Sequence, residues 1–322
     1  MVDDDDDYLN SERHFQRYSN ILDKLGYLPI SSKAEQIISD TTKKCLEQIG
    51  KSYSKAILHN MCSLYNISEY ELLTNYELFE KSLNSILGKT GNTILTSIKK
   101  EILAHAAIID STIASSEIRN PRLTIGDILK PIRAAETLAF IHENPSHKHI
   151  AFLYRNESSK NKILTAFFDA KINNKAPKGL LLSKKSSNDL SYILRYVDDS
   201  ILYEELLQES QEDEVVATKL ADWVTKLRSV CKLWLNSANN NGTRIASEDV
   251  TWWTRNGFAR HYMGFEKTIG RHIQDNMSVL CGYNISEDTN KKIDNNGTID
   301  AMIATHGYVI LDEPFIVYGA PG

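Results

Sequence analysis

Residues 149–164 read HIAFLYRNESSKNKIL, and the fold of the second half of the chain turns on them. HIAFLY is a nearly continuous apolar run of strand length, as expected for a strand buried on both faces. A short polar loop follows, and SSKNKILTAFFDAKINN then repeats its apolar residues at helical spacing. Strand, loop and helix in that order form the junction that wraps a phosphate in many nucleotide-binding proteins. A working phosphate loop is GxxxxGK[ST], because backbone N–H groups must approach the phosphate closely and a lysine must reach its outer oxygens. Tyr154–Lys162 contains no glycine. Arg155, Ser158, Ser159, Lys160 and Lys162 make at most a degenerate version. Lys160 or Lys162 imitates the lysine and Ser158 or Ser159 the hydroxyl, while Glu157 sets a negative charge where phosphate would lie. The helix N-terminus still offers N–H groups to an anion. The reading favoured is a capped helix start with solvated lysines, without ATP hydrolysis.

Outward from this junction the pattern stays mixed. KGLLLS (178–183), TRIASEDVTWW (243–253), MSVLCGYN (277–284) and GYVILDEP (307–314) read as strands. SNDLSYILRYV (187–197), VVATKLADWVTKLRSVCKLWLNSA (215–238), GFARHYMGFEKTIGRHI (257–273) and TIDAMIATH (298–306) read as helices. Strands alternating with helices imply an α/β fold with a mostly parallel sheet covered on both faces. Ligands in such sheets sit beyond the carboxyl ends of the strands.

Before residue 120 nearly everything reads as helix. Leu9–Leu25 and Ser32–Tyr65 are periodic, with Gly50 interrupting the second run. Ser68–Glu71 has the form of a capping box. Asn75 caps YELFEKSLNSIL, Gly88 stops it, and Asn92 caps the next helix. The expected division is a disordered acidic tail at 1–8, a helical module at 9–118, a linker at 119–147 punctuated by Pro121, Gly126 and Pro131, and an α/β domain at 148–322.

Composition narrows the function. With 322 residues, 42% hydrophobic and 25% charged, the chain is a globular protein of one or two domains. Its 37 basic and 42 acidic residues give −5, near balance in both halves, a poor footing for non-specific nucleic-acid binding. The N-terminus is acidic where a secretory signal would be basic and then apolar. No apolar run approaches the length of a membrane span. Cys45, Cys62, Cys231 and Cys281 are scattered without a CxxC pair. A cytoplasmic protein is expected.

Several side chains are candidates for chemistry. His142, His147 and His149 in HENPSHKH, joined by His306, have metal-ligand character, but they lie on a surface-like loop and no metal is expected there. There is no GxSxG, and Cys281 sits inside an apolar strand where thiols are inert. Trp223 and Trp234 are eleven apart on one helix and read as core; Trp252 and Trp253 point to opposite sides of a strand. His149, Tyr154, Glu248 or Asp249, Trp252, Glu266, Cys281, Tyr283 and His306 are the pocket candidates. They either line one polar crevice or satisfy one another inside the sheet.

Taken in order, these pieces resemble the MEDS family (methanogen/methylotroph, DcmR sensory domain). HKHIAFLYRNES is similar to that family's first strand and loop, with His149 and Tyr154 at its marked positions. GTRIASEDVTWW is similar to its central strand, with Arg244 and Trp252 in place and Glu248 and Asp249 competing for the acidic position. GFEKTIGRH resembles its Tyr-Glu helix, with Phe265 in place of the tyrosine and Glu266 retained. VLCGYNIS and DAMIATHGYVIL resemble its closing pair, with Cys281, Tyr283 and His306. The resemblance spans residues 145–318 and implies a RecA- or KaiC-like sheet that has lost its ATPase loop. It further implies a sensor of small organic compounds. ILHNMCSLYNISEYELLTNYELFEKSLNSILGKTGNTILTSIKKEIL (57–103) is similar to a helical module that recurs in archaeal regulators.

The sequence therefore leads to an expectation of a non-catalytic sensory protein in signal transduction or transcriptional control. No cofactor and no membrane association are expected. A small organic ligand would shift populations in the α/β domain, and the helical module would self-associate or bind a protein partner. The alternatives are a degenerate KaiC-like nucleotide switch, or an interaction scaffold or DNA-associated regulator working through the helices.

Overall fold

The computed structural model describes residues 17–30, 33–109, 124–143, 148–169, 178–183, 195–198, 243–247, 277–286, 298–312 and 315–321. It also describes single positions or short groups between 215 and 267. The chain divides into two compact units, one of residues 31–136 and one of residues 1–30 with 137–322.

The described part of the 31–136 unit is helical: α1 (Lys33–Glu47), α2 (Lys51–Tyr65), α3 (Glu69–Thr74), α4 (Tyr76–Leu87), α5 (Lys89–Ile109) and the first part of α6 (Ile125–Glu143). Their apolar stripes meet in one core that includes Ile38, Leu46, Met61, Phe79, Leu83, Ile98, Ile102 and Ile128. The end signals act as their chemistry dictates. Gly50 separates α1 from α2, the Asn75 side chain accepts the Leu78 N–H at 3.1 Å, and Gly88 ends α4 at φ 55°. Asn92 does not open the next helix. α5 already begins at Lys89, and Asn92 lies in its first turn, its carbonyl accepting the Thr96 hydroxyl at 2.8 Å. Gly91 lets α5 turn back tightly, since a Cβ there would lie 2.7 Å from the Leu83 carbonyl oxygen.

The expected linker at 119–147 is in its described part mostly helix. Gly126 and Pro131 read as punctuation, yet Thr124 and Asp127 form a reciprocal cap. The Thr124 N–H and hydroxyl donate to the Asp127 carboxylate at 3.0 and 2.7 Å, and the Asp127 N–H donates to the Thr124 hydroxyl at 3.1 Å. α6 then runs through Pro131 at the cost of one backbone hydrogen bond, repaid by burial of Ile125, Ile128, Leu129 and Ile132 on one stripe. The unit boundary falls within α6.

The second unit is built on an eight-stranded sheet: β1 (Leu28–Pro29), β2 (Lys148–Tyr154), β3 (Lys178–Ser183), β4 (Arg195–Asp198), β5 (Thr243–Ser247), β6 (Met277–Asn284), β7 (Tyr308–Leu311) and β8 (Ile316–Gly319). The order is β1-β8-β7-β2-β6-β5-β3-β4. β2 to β7 are mutually parallel, as their apolar runs predict, whereas β8 joins β7 antiparallel and β1 joins β8 antiparallel. Residues 17–30 therefore belong to this unit and not to a helical module at 9–118; Tyr18, Leu22 and Tyr27 are buried in it. A two-residue strand has no periodicity by which to announce itself. Arg195–Asp198, expected in a helix, is the edge strand β4. The rest of the 187–197 segment, and Trp223, Trp234 and Trp253, lie outside the described residues.

Period-2 alternation sorts β2 onto two faces. Ile150, Phe152 and Tyr154 share a core with Ile163, Leu164, Phe167 and Phe168 of α7 (Glu157–Asp169). His149, Ala151 and Leu153 point to the other face, in register with Val279, Cys281 and Tyr283 of β6. Among the described residues no helix is long and apolar enough to cross a membrane.

The reciprocal cap gives a direct prediction. Thr124→Ala should cost about 1 kcal/mol in urea unfolding followed by circular dichroism. Partial burial opposes ionisation of the Asp127 carboxyl, but the two Thr124 bonds and Lys130 outweigh it and hold the carboxyl below 3.8. Its contribution is then full above the unfolded value and is lost as pH falls through the lower folded one. The Thr124→Ala deficit should shrink in that acid range.

Candidate functional site

The face of the sheet opposite α7 carries a buried polar cluster. His149 is the second residue of β2, and Cys281 and Tyr283 are the fifth and seventh of β6. His306 follows α8 (Thr298–Ile303), just before β7. Glu266 lies in helical backbone with Tyr262 one turn before it. None of the six is more than 5% exposed, and Glu266 is wholly buried. The side chains opposite Cys281 in the neighbouring strands are only those of Ala151 and Ser247, which leaves depth for the carboxylate.

Glu266 is the centre. His149 Nε2 stands 2.9 Å and His306 Nε2 3.7 Å from its Oε2, and the Tyr283 hydroxyl donates to Oε1 at 3.3 Å. Tyr262 donates a further hydrogen bond. The Cys281 sulfur is 3.5 Å from His149 Nε2 and 3.8 Å from Glu266 Oε2. Burial alone would raise the Glu266 pKa. The His149 hydrogen bond, the two imidazoles and Tyr262 outweigh it and hold the group at about 2, so it is ionised. Burial, and after it the neighbouring His149, push His306 down to about 3 against the pull of Glu266, so its imidazole is neutral. Burial and then the Glu266 charge push Cys281, Tyr283 and Tyr262 well above their ordinary ranges.

The backbone fixes both imidazoles. His306 Nδ1 lies 2.9 Å from the Met302 carbonyl and His149 Nδ1 3.3 Å from the Thr305 carbonyl. A carbonyl only accepts, so the neutral His306 carries its proton on Nδ1, while His149 Nε2 donates to Glu266; both Nε2 atoms are turned to the cluster. The rings stack with centroids 3.9 Å apart. The Tyr27 hydroxyl donates to the carbonyls of Ile303 (2.8 Å) and His306, tying the N-terminal segment to the turn that carries His306. His306 Nε2 has no hydrogen-bond partner among the described residues.

The structure thus joins His149, Glu266, Cys281, Tyr283 and His306, but within the sheet face and not in a crevice beyond the strand ends. Tyr154 is not among them. It lies on the α7 face, beside Phe152 and with Lys160 Nζ 5.8 Å from its ring centre, because it is five positions, an odd number, along the strand from His149. Glu248, Asp249, Trp252, Phe265 and His147 lie outside the described residues. His142, in the last turn of α6, is not part of the cluster. Arg244 is buried on the α7 face, its guanidinium 4.8 Å from the Phe167 ring centre, and burial lowers its pKa to about 10.

The sequence reading missed Tyr262, although its i, i+4 spacing from Glu266 was a usable signal. It also missed Asn156 and Asp312 at the strand–helix junction. The Asn156 side chain caps α7, accepting the Ser159 N–H at 2.8 Å. The Arg155 N–H donates at 3.1 Å to the carboxylate of Asp312, which is 3% exposed at the end of β7, and Asn156 Nδ2 lies 3.5 Å from the same oxygen. Lys160 is folded inward, 2.5 Å from Glu157 and 6% exposed, while Ser158 and Lys162 are exposed and Ser159 is buried.

No protein-family model matches the chain, and no curated protein matches it in sequence.

A buried carboxylate this heavily partnered should be costly to remove. Glu266→Ala is expected to lose about 3–5 kcal/mol in urea unfolding, because its donors stay buried without an acceptor. Glu266→Gln keeps a carbonyl for Tyr283 and should lose less than half as much. A loss within about 1 kcal/mol for Glu266→Ala would show that the cluster is not held by its carboxylate.

Proposed function

We propose that this is a non-catalytic regulatory protein, whose α/β unit is a RecA- or KaiC-like domain of MEDS type that keeps the sheet and has given up the phosphate site. The observation that carries this reading is the Asp312 carboxylate at the junction after β2. In a nucleotide-binding sheet the N–H groups there face a phosphate. Here one of them, on Arg155, is taken by the protein's own anion, Asn156 caps the helix, and Lys160 is turned back onto Glu157. A second phosphate-like charge beside Asp312 and Glu157 would be repelled.

Strand order supports the same reading. β2 lies between β6 and β7, the last two parallel strands, which puts a topological switch point at its carboxyl end. Five residues marked by the MEDS resemblance, His149, Glu266, Cys281, Tyr283 and His306, are in mutual contact, as a shared role requires. We assign the response to that cluster. Its donor atoms are too close together to admit an organic molecule between them. A small organic ligand, which the resemblance implies, would therefore act beside the cluster or open it. The helical unit would relay the change through its own contacts; Tyr53 and Leu64, exposed and eleven apart on α2, offer it an apolar surface.

The test is thermal unfolding with magnesium and ATP, ADP or GTP. A ligand at 100 times its dissociation constant adds about 2.7 kcal/mol, which shifts a melting point visibly. No shift is expected with any of the three. A clear shift that Lys160→Ala or Lys162→Ala abolishes would overturn this reading in favour of a nucleotide switch.

A further inference from the structure

We propose that His149, Glu266, Cys281 and His306 are the four ligands of a buried divalent cation of the zinc class. One ligand atom from each residue lies within 4.8 Å of all the others. The separations of 2.9, 3.5, 3.7 and 3.8 Å among Nε2, Oε2 and Sγ bracket the edges of a tetrahedron. Bond lengths of about 2.0–2.1 Å to nitrogen or oxygen and about 2.3 Å to sulfur give edges of roughly 3.3–3.6 Å.

Three further features separate this set from a merely satisfied polar core. First, both histidines present Nε2 and hold Nδ1 against a backbone carbonyl, the outer support that orients metal-bound imidazoles. Second, His306 Nε2 is wholly buried with no hydrogen-bond partner among the described residues, and aims a lone pair at the Glu266 carboxylate 3.7 Å away. Two electron-rich atoms facing each other inside the protein are the arrangement that a bound cation would satisfy. Third, the charges close. A divalent ion with one carboxylate, one thiolate and two neutral imidazoles is a neutral site, the form that burial tolerates. The thiol proton and the proton that His149 Nε2 shares with Glu266 leave as the metal enters, and no redox change is involved.

The N2OS donor set suits a borderline-soft ion better than magnesium or calcium, which take oxygen. Four protein ligands leave no open position for water or substrate, so the ion holds together β2, β6, the Glu266 helix and the turn before β7 without catalysing. This names the occupant of the cluster to which the response was assigned above, and rests on that reading for its role. Nucleotide binding would overturn the non-catalytic reading and leave the metal standing; an absence of metal would do the reverse.

The full chain, purified without a histidine tag, should carry about one zinc per chain by elemental analysis. Cobalt(II) added after stripping with a chelator should produce the strong visible bands of tetrahedral cobalt and a thiolate charge-transfer band in the near ultraviolet. Cys281→Ser should abolish the charge-transfer band, and His306→Gln, which removes a direct ligand, should weaken cobalt binding by at least the roughly 10–100-fold that loss of an outer partner costs. Wild-type protein needs no variant to decide the matter. Less than a tenth of an equivalent of metal as purified, with only the weak bands of octahedral cobalt after reloading, would overturn the proposal. So would a tetrahedral cobalt spectrum unchanged in folded Cys281→Ser and His306→Gln.

Discussion

An ionised carboxylate with no access to water dictates the arrangement of the α/β unit. Placing Glu266 inside the protein costs several kcal/mol of hydration, which only close donors or a cation offset. Its partners are His149 in β2, Cys281 and Tyr283 in β6, Tyr262 one turn away on its own helix, and His306 before β7, so that all but Tyr262 come from other parts of the sequence. His149, Cys281 and Tyr283 cannot move by one residue along their strands without turning to the opposite face. The cluster therefore locks the β2–β6 register more tightly than apolar packing alone would. Even the N-terminal segment is tied to it, through the Tyr27 hydroxyl on the turn of His306.

The two faces of β2 do different work. Toward α7 the sheet is an ordinary apolar core of Ile150, Phe152, Ile163 and Phe167, and the helix it supports begins at a junction closed by Asn156 and Asp312. Toward the other face the alternate residues build the polar cluster. A strand–loop–helix junction lies on one side, and the buried ionisable groups of the cluster lie on the other. That division gives the proposed loss of nucleotide binding a structural counterpart: an internal anion where an external one would bind.

Much of this was legible in the sequence. Continuous apolar runs announce the parallel strands, and Lys178–Ser183 and Met277–Asn284 match KGLLLS and MSVLCGYN residue for residue. Of the nine pocket candidates that the sequence offers, His149, Glu266, Cys281, Tyr283 and His306 converge, Tyr154 does not, and Glu248, Asp249 and Trp252 lie outside the described residues. What the sequence withheld is instructive in physical terms. The resemblance marks Tyr154 together with His149, but the alternation of faces along β2 sets them apart. The α6 helix was hidden by Gly126 and Pro131, since tertiary burial of its apolar stripe overrides local propensity. Leu28–Pro29 and Ile316–Gly319 are short edge strands whose pairing is decided by partners far away in sequence. The histidines of HENPSHKH looked like a local metal motif, whereas the donors that converge come from separated elements, and no spacing rule reports convergence.

X-ray absorption at the zinc edge of the purified full-length chain tests most directly the claim that Glu266 and its neighbours enclose a cation. The coordination predicted is one sulfur at about 2.3 Å and three nitrogen or oxygen atoms at about 2.0–2.1 Å. A shell of nitrogen and oxygen alone, or one rich in sulfur, would contradict it, because neither can be assembled from Cys281, Glu266 and two imidazoles.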